Sequence, residues 1–278
     1  MVSHSIWTEV REGRGTEHAG VYLNISHVPA EEIERRLPSM VKELLRSGVD
    51  IRKESMEVLP TPHFSCGGIK IGLNSASILE GHYAGGEAGG GIHGANRLGA
   101  NSFFDLQVFG TRAGQSAGEY ALKNKTRPNI EQVEKSVEKL AEPLVRKEGT
   151  GPISIRKKVQ KLMYQNVGIM RNEKGLKESI KVFEEMGQKE LPRIKVSSNR
   201  IFNYERAESI KVRNMVRAAL VIARSALFRE ESRGVHFRED FPKKDKNWLL
   251  NVNAKTMDCS FKIAPMIILF PQQLRSYI

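Results

Sequence analysis

Between Pro60 and Gly114 the chain concentrates the residue types that do chemistry. PTPHFSCGGIKI (60–71) is followed, after ten residues, by HYAGGEAGGGIHGANRLGANSFFDLQVFGTRAG (82–114). Glycines let a backbone approach a bulky ligand closely. Among them stand one carboxylate, Glu87, and the polar residues His93, Asn96 and Arg97. These precede a helical pattern whose free N–H groups would favour negative charge.

Two formal motifs in this stretch point elsewhere. Gly89, Gly91 and Gly94 match G-x-G-x-x-G, the dinucleotide fingerprint. That fingerprint needs a helix opening within the glycines and an acidic residue about 20 positions later, at a strand end. Here the helical pattern starts only around Asn101, and Asp105 falls inside it. His63-x-x-Cys66 has metal-ligand spacing, but no second ligand pair supports it and Cys259 is far away in sequence. No metal is expected.

The elements around these residues follow from periodicity. Val21 to Val28 reads as a strand and Ala30 to Arg46 as an amphipathic helix, with short strands around Ile69 to Ile71 and His82 to Ala84. From Asn101 the apolar residues Phe103, Phe104, Leu106, Val108 and Phe109 make a helix, with Asn101 or Ser102 placed to cap it. After LKNKTRP (122–128) the chain turns helical and glycine-poor. Ile130, Val133, Val137 and Leu140 form one stripe; Ile155, Val159, Leu162 and Met163 a second; Leu176, Ile180 and Phe183 a third. A long run from about Asn203 to Glu231 completes a four-helix bundle. Beyond Gly234 the chain reads as irregular or β-like, with Trp248 to Val252 a strand.

Length and composition set wide bounds. At 278 residues, 40% hydrophobic and 27% charged, the chain has ample material for a core. No apolar run reaches the roughly 18 residues of a membrane span. Two cysteines are too few for a disulfide scaffold. The charge of +12 invites a nucleic-acid reading. The lysines, however, alternate with glutamates, as in VEKSVEKL (133–140) and KGLKESIKVFEEM (174–186), which makes solvated helix faces. An anionic ligand or an acidic partner protein suits the charge better.

The string HGANRLGANSFFDLQVFGTRAG resembles the signature of the succinate dehydrogenase/fumarate reductase flavoprotein family. PTPHFSCGGI and YAGGE resemble it too, in the same order and spacing. So do REGRG (11–15), LFREESRGVHFREDFP (227–242) and the closing LRSYI (274–278). L-aspartate oxidase is a relative with a similar histidine and arginine, but Leu98-Gly99 and Asp105 look more like succinate dehydrogenase or fumarate reductase. The resemblance implies an FAD cofactor and a dicarboxylate substrate. Glu87 would bond the ribose hydroxyls, and Ser102 and Phe103 would offer backbone N–H groups to the isoalloxazine. His63 and Arg97 would bind a substrate carboxylate. It also implies an iron–sulfur subunit as partner, with a membrane anchor reached only through partners. The location would be cytoplasmic, peripheral on the inner face of the membrane.

The family's pyrophosphate-binding glycines, its flavin-linking histidine and its proton-shuttle arginine have no counterpart after Met1. They are expected upstream, so no catalytic residue is assigned within the chain. His4 departs from the arginine usual near that edge. The chain is expected to be the family's C-terminal half, inactive alone, or alternatively a non-catalytic interaction module. The expected fold is α+β, with the end of a capping domain (1–58), the closing part of an FAD domain (59–124), a helical bundle (125–232) and a small C-terminal module (233–278).

Overall fold

The computed structural model describes residues 2–199, 201–257 and 260–267. Cys259 and the closing LRSYI lie outside the described residues. Packing divides the chain into two compact units, residues 1–63 and 64–278.

In the first unit, helix α1 (Val2–Arg11) buries Trp7. This helix lies outside the elements expected from periodicity. Strand β1 (Val21–Leu23) pairs antiparallel with β2 (Met56–Val58). The strand expected to reach Val28 stops early because the Asn24 side chain accepts the Ser26 N–H at 2.8 Å and turns the chain. The helix expected over 30–46 is two helices, α2 (Ala30–Arg36) and α3 (Pro38–Arg46). Pro38 disfavours helical geometry at Leu37, which sits at φ −128° and ψ 45°, and itself starts the second helix. Ile33, Val41, Ile51 and Met56 form this unit's core.

The second unit opens with a two-residue strand, β3 (Ile69–Lys70), paired parallel with β4 (Gly89–Gly90). The expected strand at His82 to Ala84 is reduced to a single bridge between Ala76 and Tyr83. The diglycine strand is a steric necessity: a Cβ on Gly90 would lie 2.6 Å from the Gly68 nitrogen, and one on Gly68 would lie 2.4 Å from the Ala88 oxygen. Helix α4 (Asn101–Lys123) begins where expected, but neither Asn101 nor Ser102 caps it. Its N-cap is Ala100, at φ 65°, with no side-chain bond.

The bundle comprises α5 (Ile130–Val145), α6 (Pro152–Asn166), α7 (Glu173–Glu185) and α8 (Tyr204–Phe228). Asn129, Asn172 and Asn203 cap α5, α7 and α8 by accepting N–H groups three residues on. On α8, Val212, Val216, Ala219, Ala223 and Ala226 recur three or four apart and are buried against Ile155 and Val159 of α6 and Leu176 and Phe183 of α7. Alanines on this long helix let its neighbours approach closely.

After α8 the chain runs irregularly to a hairpin of β5 (Leu250–Met257) and β6 (Ser260–Ile267), in register from Leu250↔Ile267 to Met257↔Ser260. The strand expected from Trp248 starts at Leu250, because Asp245 caps a helical turn at Lys246–Trp248. Helices and short two-stranded ribbons, two antiparallel and one parallel, make the architecture α+β among the described residues.

Candidate functional site

Two glycines bring Glu87 to the side of α4. A Cβ on Gly85 would lie 2.7 Å from the Phe109 carbonyl carbon, and one on Gly86 would lie 2.5 Å from Leu106 Cδ2. Only glycine allows this approach, and Gly86 also takes φ 64°. The buried Ser75 hydroxyl donates to the Phe109 carbonyl at 2.9 Å and fixes the same flank. Glu87 itself is exposed on the turn Gly86–Ala88. One carboxylate oxygen accepts the Ser65 N–H at 2.8 Å, and the other faces no protein donor among the described residues.

At the N-terminus of α4 the two expected backbone donors differ. The Phe103 N–H is taken by the Ala100 carbonyl at 3.0 Å. The Ser102 N–H has no acceptor among the described residues. The helix end therefore presents one free donor within the positive end of its dipole. Around it Leu98, Phe103, Phe104 and Leu106 are exposed apolar side chains.

Arg97 lies across the ring of Phe64, its guanidinium carbon 4.8 Å from the ring centroid. Nη1 donates to the Leu98 carbonyl at 3.1 Å. Nε is buried without a partner. Arg97 makes no ion pair among the described residues, so Nε, out of reach of solvent, and Nη2 keep the two parallel donors that a carboxylate fork uses. The rings of His93 and Phe64 make a T-shaped pair, with centroids 5.3 Å apart and planes at 79°. His93 Nε2 is 3.1 Å from Asp105 Oδ2, and the two side chains are 7% and 1% exposed. Asp105 Oδ1 is buried without a partner.

Phe64, His93, Arg97 and Asp105 thus form one stack. Of the residues singled out from sequence, His93 lies within it and Arg97 forms its end. Glu87 and Ser102 stand on the flank and at the tip of α4, while His63 is exposed at the end of the other unit. Sequence reasoning gave Phe64 no role and Asp105 only a family role. Their separations from Arg97 follow no helical or strand period, so nothing in the spacing could pair them. Asn96 is exposed, and Cys66 is a free thiol.

The loop carrying Arg97 is held from the C-terminal side as well. Val235 donates its N–H to the Ala95 carbonyl at 3.1 Å. Behind that turn, Arg171 Nη1 is 2.7 Å from His236 Nδ1, and His236 Nε2 lies 3.3 Å from the Arg229 carbonyl. Burial, reinforced by the Arg171 charge, pushes the His236 imidazole down to about 4. Burial also pulls Arg171 down to about 10. Arg238, 1% exposed, donates to the carbonyls that end α8 and to Asp240.

Comparison with known proteins finds relatives of both parts of the chain. The FAD binding domain family model matches residues 1–103, and that of the fumarate reductase flavoprotein C-terminal region matches residues 156–277. The chain belongs to the succinate dehydrogenase/fumarate reductase flavoprotein family. It is 41% identical over 248 residues to one subunit of the fumarate reductase (CoM/CoB) of Methanothermobacter marburgensis, covering 89% of this chain and 45% of that protein. It is 36% identical over 271 residues to the succinate dehydrogenase flavoprotein subunit of Rickettsia bellii, covering 90% and 45%. Among solved structures, a Mycobacterium smegmatis Sdh1 chain superposes with a TM-score of 0.86 at 36% identity, over 98% of this chain and 47% of that one. A quinol-fumarate reductase chain gives 0.86 at 31%, over 98% and 49%. The chain spans about half the length of the relatives it matches.

The residues present suit part of an FAD site. The open oxygen of Glu87 can accept a ribose hydroxyl. The Ser102 N–H and the dipole of α4 can meet a ring system that gains negative charge, and Phe103, Phe104 and Leu98 offer apolar surface beside it. No helix among the described residues is long and apolar enough to cross a membrane.

Proposed function

We propose that this chain forms the substrate-facing half of a flavoprotein subunit that interconverts succinate and fumarate. The observation that carries the reading is the guanidinium of Arg97, held on Phe64 without an ion pair among the described residues and with a buried Nε that has no partner. A planar cation with two parallel donors, partly removed from water, is what a carboxylate needs for a charge-assisted fork. His63 is proposed to hold a carboxylate of the same substrate. FAD, when bound, supplies hydride acceptance and donation. Glu87 and Ser102 hold and orient it, and the dipole of α4 favours its reduced form.

Electrons are proposed to pass to an iron–sulfur subunit, with the assembly attached to the inner face of the cell membrane through an anchor subunit. The name of the Methanothermobacter relative pairs fumarate reduction with CoM/CoB, which makes a thiol pair the competing electron donor. A second reading, a non-catalytic interaction module, draws on the exposed apolar side chains of α4.

The test uses the complete flavoprotein without air. Fumarate reduction is followed with a reduced dye and succinate oxidation with an oxidised one. Interconversion in either direction supports the enzyme reading. Absence of both, with no change in the flavin spectrum on adding fumarate, favours the interaction module. Substituting quinol and then CoM plus CoB for the dye separates the two electron partners.

A further inference from the structure

We propose that the buried His93–Asp105 pair positions Arg97, acting through the ring of Phe64. The inference rests on Arg97 being the carboxylate-binding residue. Three contacts make the chain of support. Asp105 holds His93 Nε2 at 3.1 Å, the His93 and Phe64 rings stand nearly perpendicular with centroids 5.3 Å apart, and the Phe64 ring carries the guanidinium carbon 4.8 Å from its centroid.

The pair has a cost that its own bonds do not offset. The Asp105 side chain is 1% exposed, and Oδ1 has no partner. A buried carboxylate oxygen without a donor is unfavourable, and an apolar side chain in its place would commonly be tolerated better. What the carboxylate supplies is orientation. An imidazole held through Nε2 by a fixed carboxylate cannot spin about its bond to Cβ, so its perpendicular contact with Phe64 is kept. An aromatic ring packed against a fixed, perpendicular neighbour presents a fixed face to a cation.

Arg97 needs such a device because its own chain is long and its head makes only one hydrogen bond, from Nη1 to the Leu98 carbonyl. With Nη1 tied and one face on Phe64, the unpartnered Nε and Nη2 keep one direction. A substrate then binds without first paying to order the side chain.

The experiment measures fumarate affinity by calorimetry in the oxidised, complete flavoprotein, where no turnover occurs, and KM and kcat separately. Phe64→Leu and Asp105→Ala are expected to weaken fumarate binding and raise KM about tenfold, with kcat held within about twofold. Phe64→Tyr keeps the aromatic face and Asp105→Asn keeps an acceptor for His93, so both should restore near-normal affinity. In an Arg97→Lys background the same changes should add little. Phe64 is only partly buried, so Phe64→Leu carries the test should Asp105→Ala fail to fold, as melting and flavin absorbance would show. Weakened binding in Arg97→Lys with unchanged affinity in Phe64→Leu overturns the positioning role and leaves the carboxylate reading intact. Unchanged affinity in Arg97→Lys overturns both.

Discussion

The Val235 N–H and the Ala95 carbonyl meet at 3.1 Å, tying the turn after the bundle to the loop that carries Arg97. The contact requires Gly234, whose φ is 59° and whose added Cβ would lie 2.2 Å from the Ala95 oxygen and 2.6 Å from its carbon. Two segments distant in sequence therefore share one steric condition. The arginine's backbone is set by the C-terminal turn, while its side chain is set by Phe64.

Gly234→Ala should break that condition. A left-handed backbone costs a non-glycine residue about 1 kcal/mol, and forcing an extra carbon against fixed backbone costs about 1–3 kcal/mol more. A destabilisation on the order of 2–4 kcal/mol is expected, read as a lower urea midpoint. A midpoint equal to wild type would show that the Ala95 loop moves freely.

For Arg97→Lys, the two-point fork is lost while the charge remains. Removing one charged hydrogen bond from a partly buried site costs about 2–5 kcal/mol. Succinate KM in the complete flavoprotein should rise at least tenfold and kcat/KM should fall further. Normal succinate kinetics would move the carboxylate site away from Phe64 and Arg97.

Glu87→Gln keeps the shape and the bond from the Ser65 N–H but removes the charge facing the ribose position. FAD affinity should drop by about 1.5–3 kcal/mol with the melting temperature little changed. The measurement is flavin retention on dilution, compared with wild type. Equal retention would place the ribose contact on another residue.

Much of this was legible in the chain itself. Helical periodicity located α6 to α8 because each buries one stripe; it located α5 too, although the stripe expected to pack there, Ile130, Val133, Val137 and Leu140, is exposed and only Pro143 of that helix is buried. Arg97 stood out because an arginine among glycines ahead of a helix has few structural uses. The rest was hidden for identifiable reasons. Pro38 falls within an unbroken amphipathic pattern, so the split between α2 and α3 has no signal except the proline itself. Gly89 and Gly90 form a strand only because they face Gly68, a pairing with no local trace. The His93–Asp105 pair bridges a loop and a helix and obeys no period. Ala100 takes the N-cap without any capping side chain, leaving Asn101 and Ser102 as misleading signals.

Acid should weaken the turn behind the site. His236 Nδ1 lies against the Arg171 guanidinium, so the imidazole must be neutral there. Its folded value is lowered to about 4 from 6.5, so its contribution is complete above pH 6.5 and is lost as pH falls toward 4. The unfolded chain binds the proton first, which favours unfolding. The loss is at most about 3 kcal/mol at pH 4. In His236→Gln the amide can accept from Arg171 and donate to the Arg229 carbonyl without titrating. The difference in urea stability between wild type and this variant should therefore shrink from pH 7 to pH 4. A constant difference would mean that His236 is already protonated or does not titrate with folding.

The 278-residue chain by itself should bind little flavin. The described residues offer FAD one open carboxylate oxygen at Glu87 and one helix N–H at Ser102, with apolar surface beside them. A ligand of that size loses much translational and internal freedom on binding, and a few edge contacts cannot offset it. The same surface leaves Phe103 and Phe104 63% and 64% exposed, with Leu106 53% exposed one turn on. An apolar patch of this kind finds a partner or associates with itself. The purified chain should be colourless, inactive with succinate and an artificial acceptor, and self-associating in sedimentation as concentration rises. Phe103→Ser with Phe104→Ser should reduce that association. A yellow, active monomer would show that these residues form a complete flavin site.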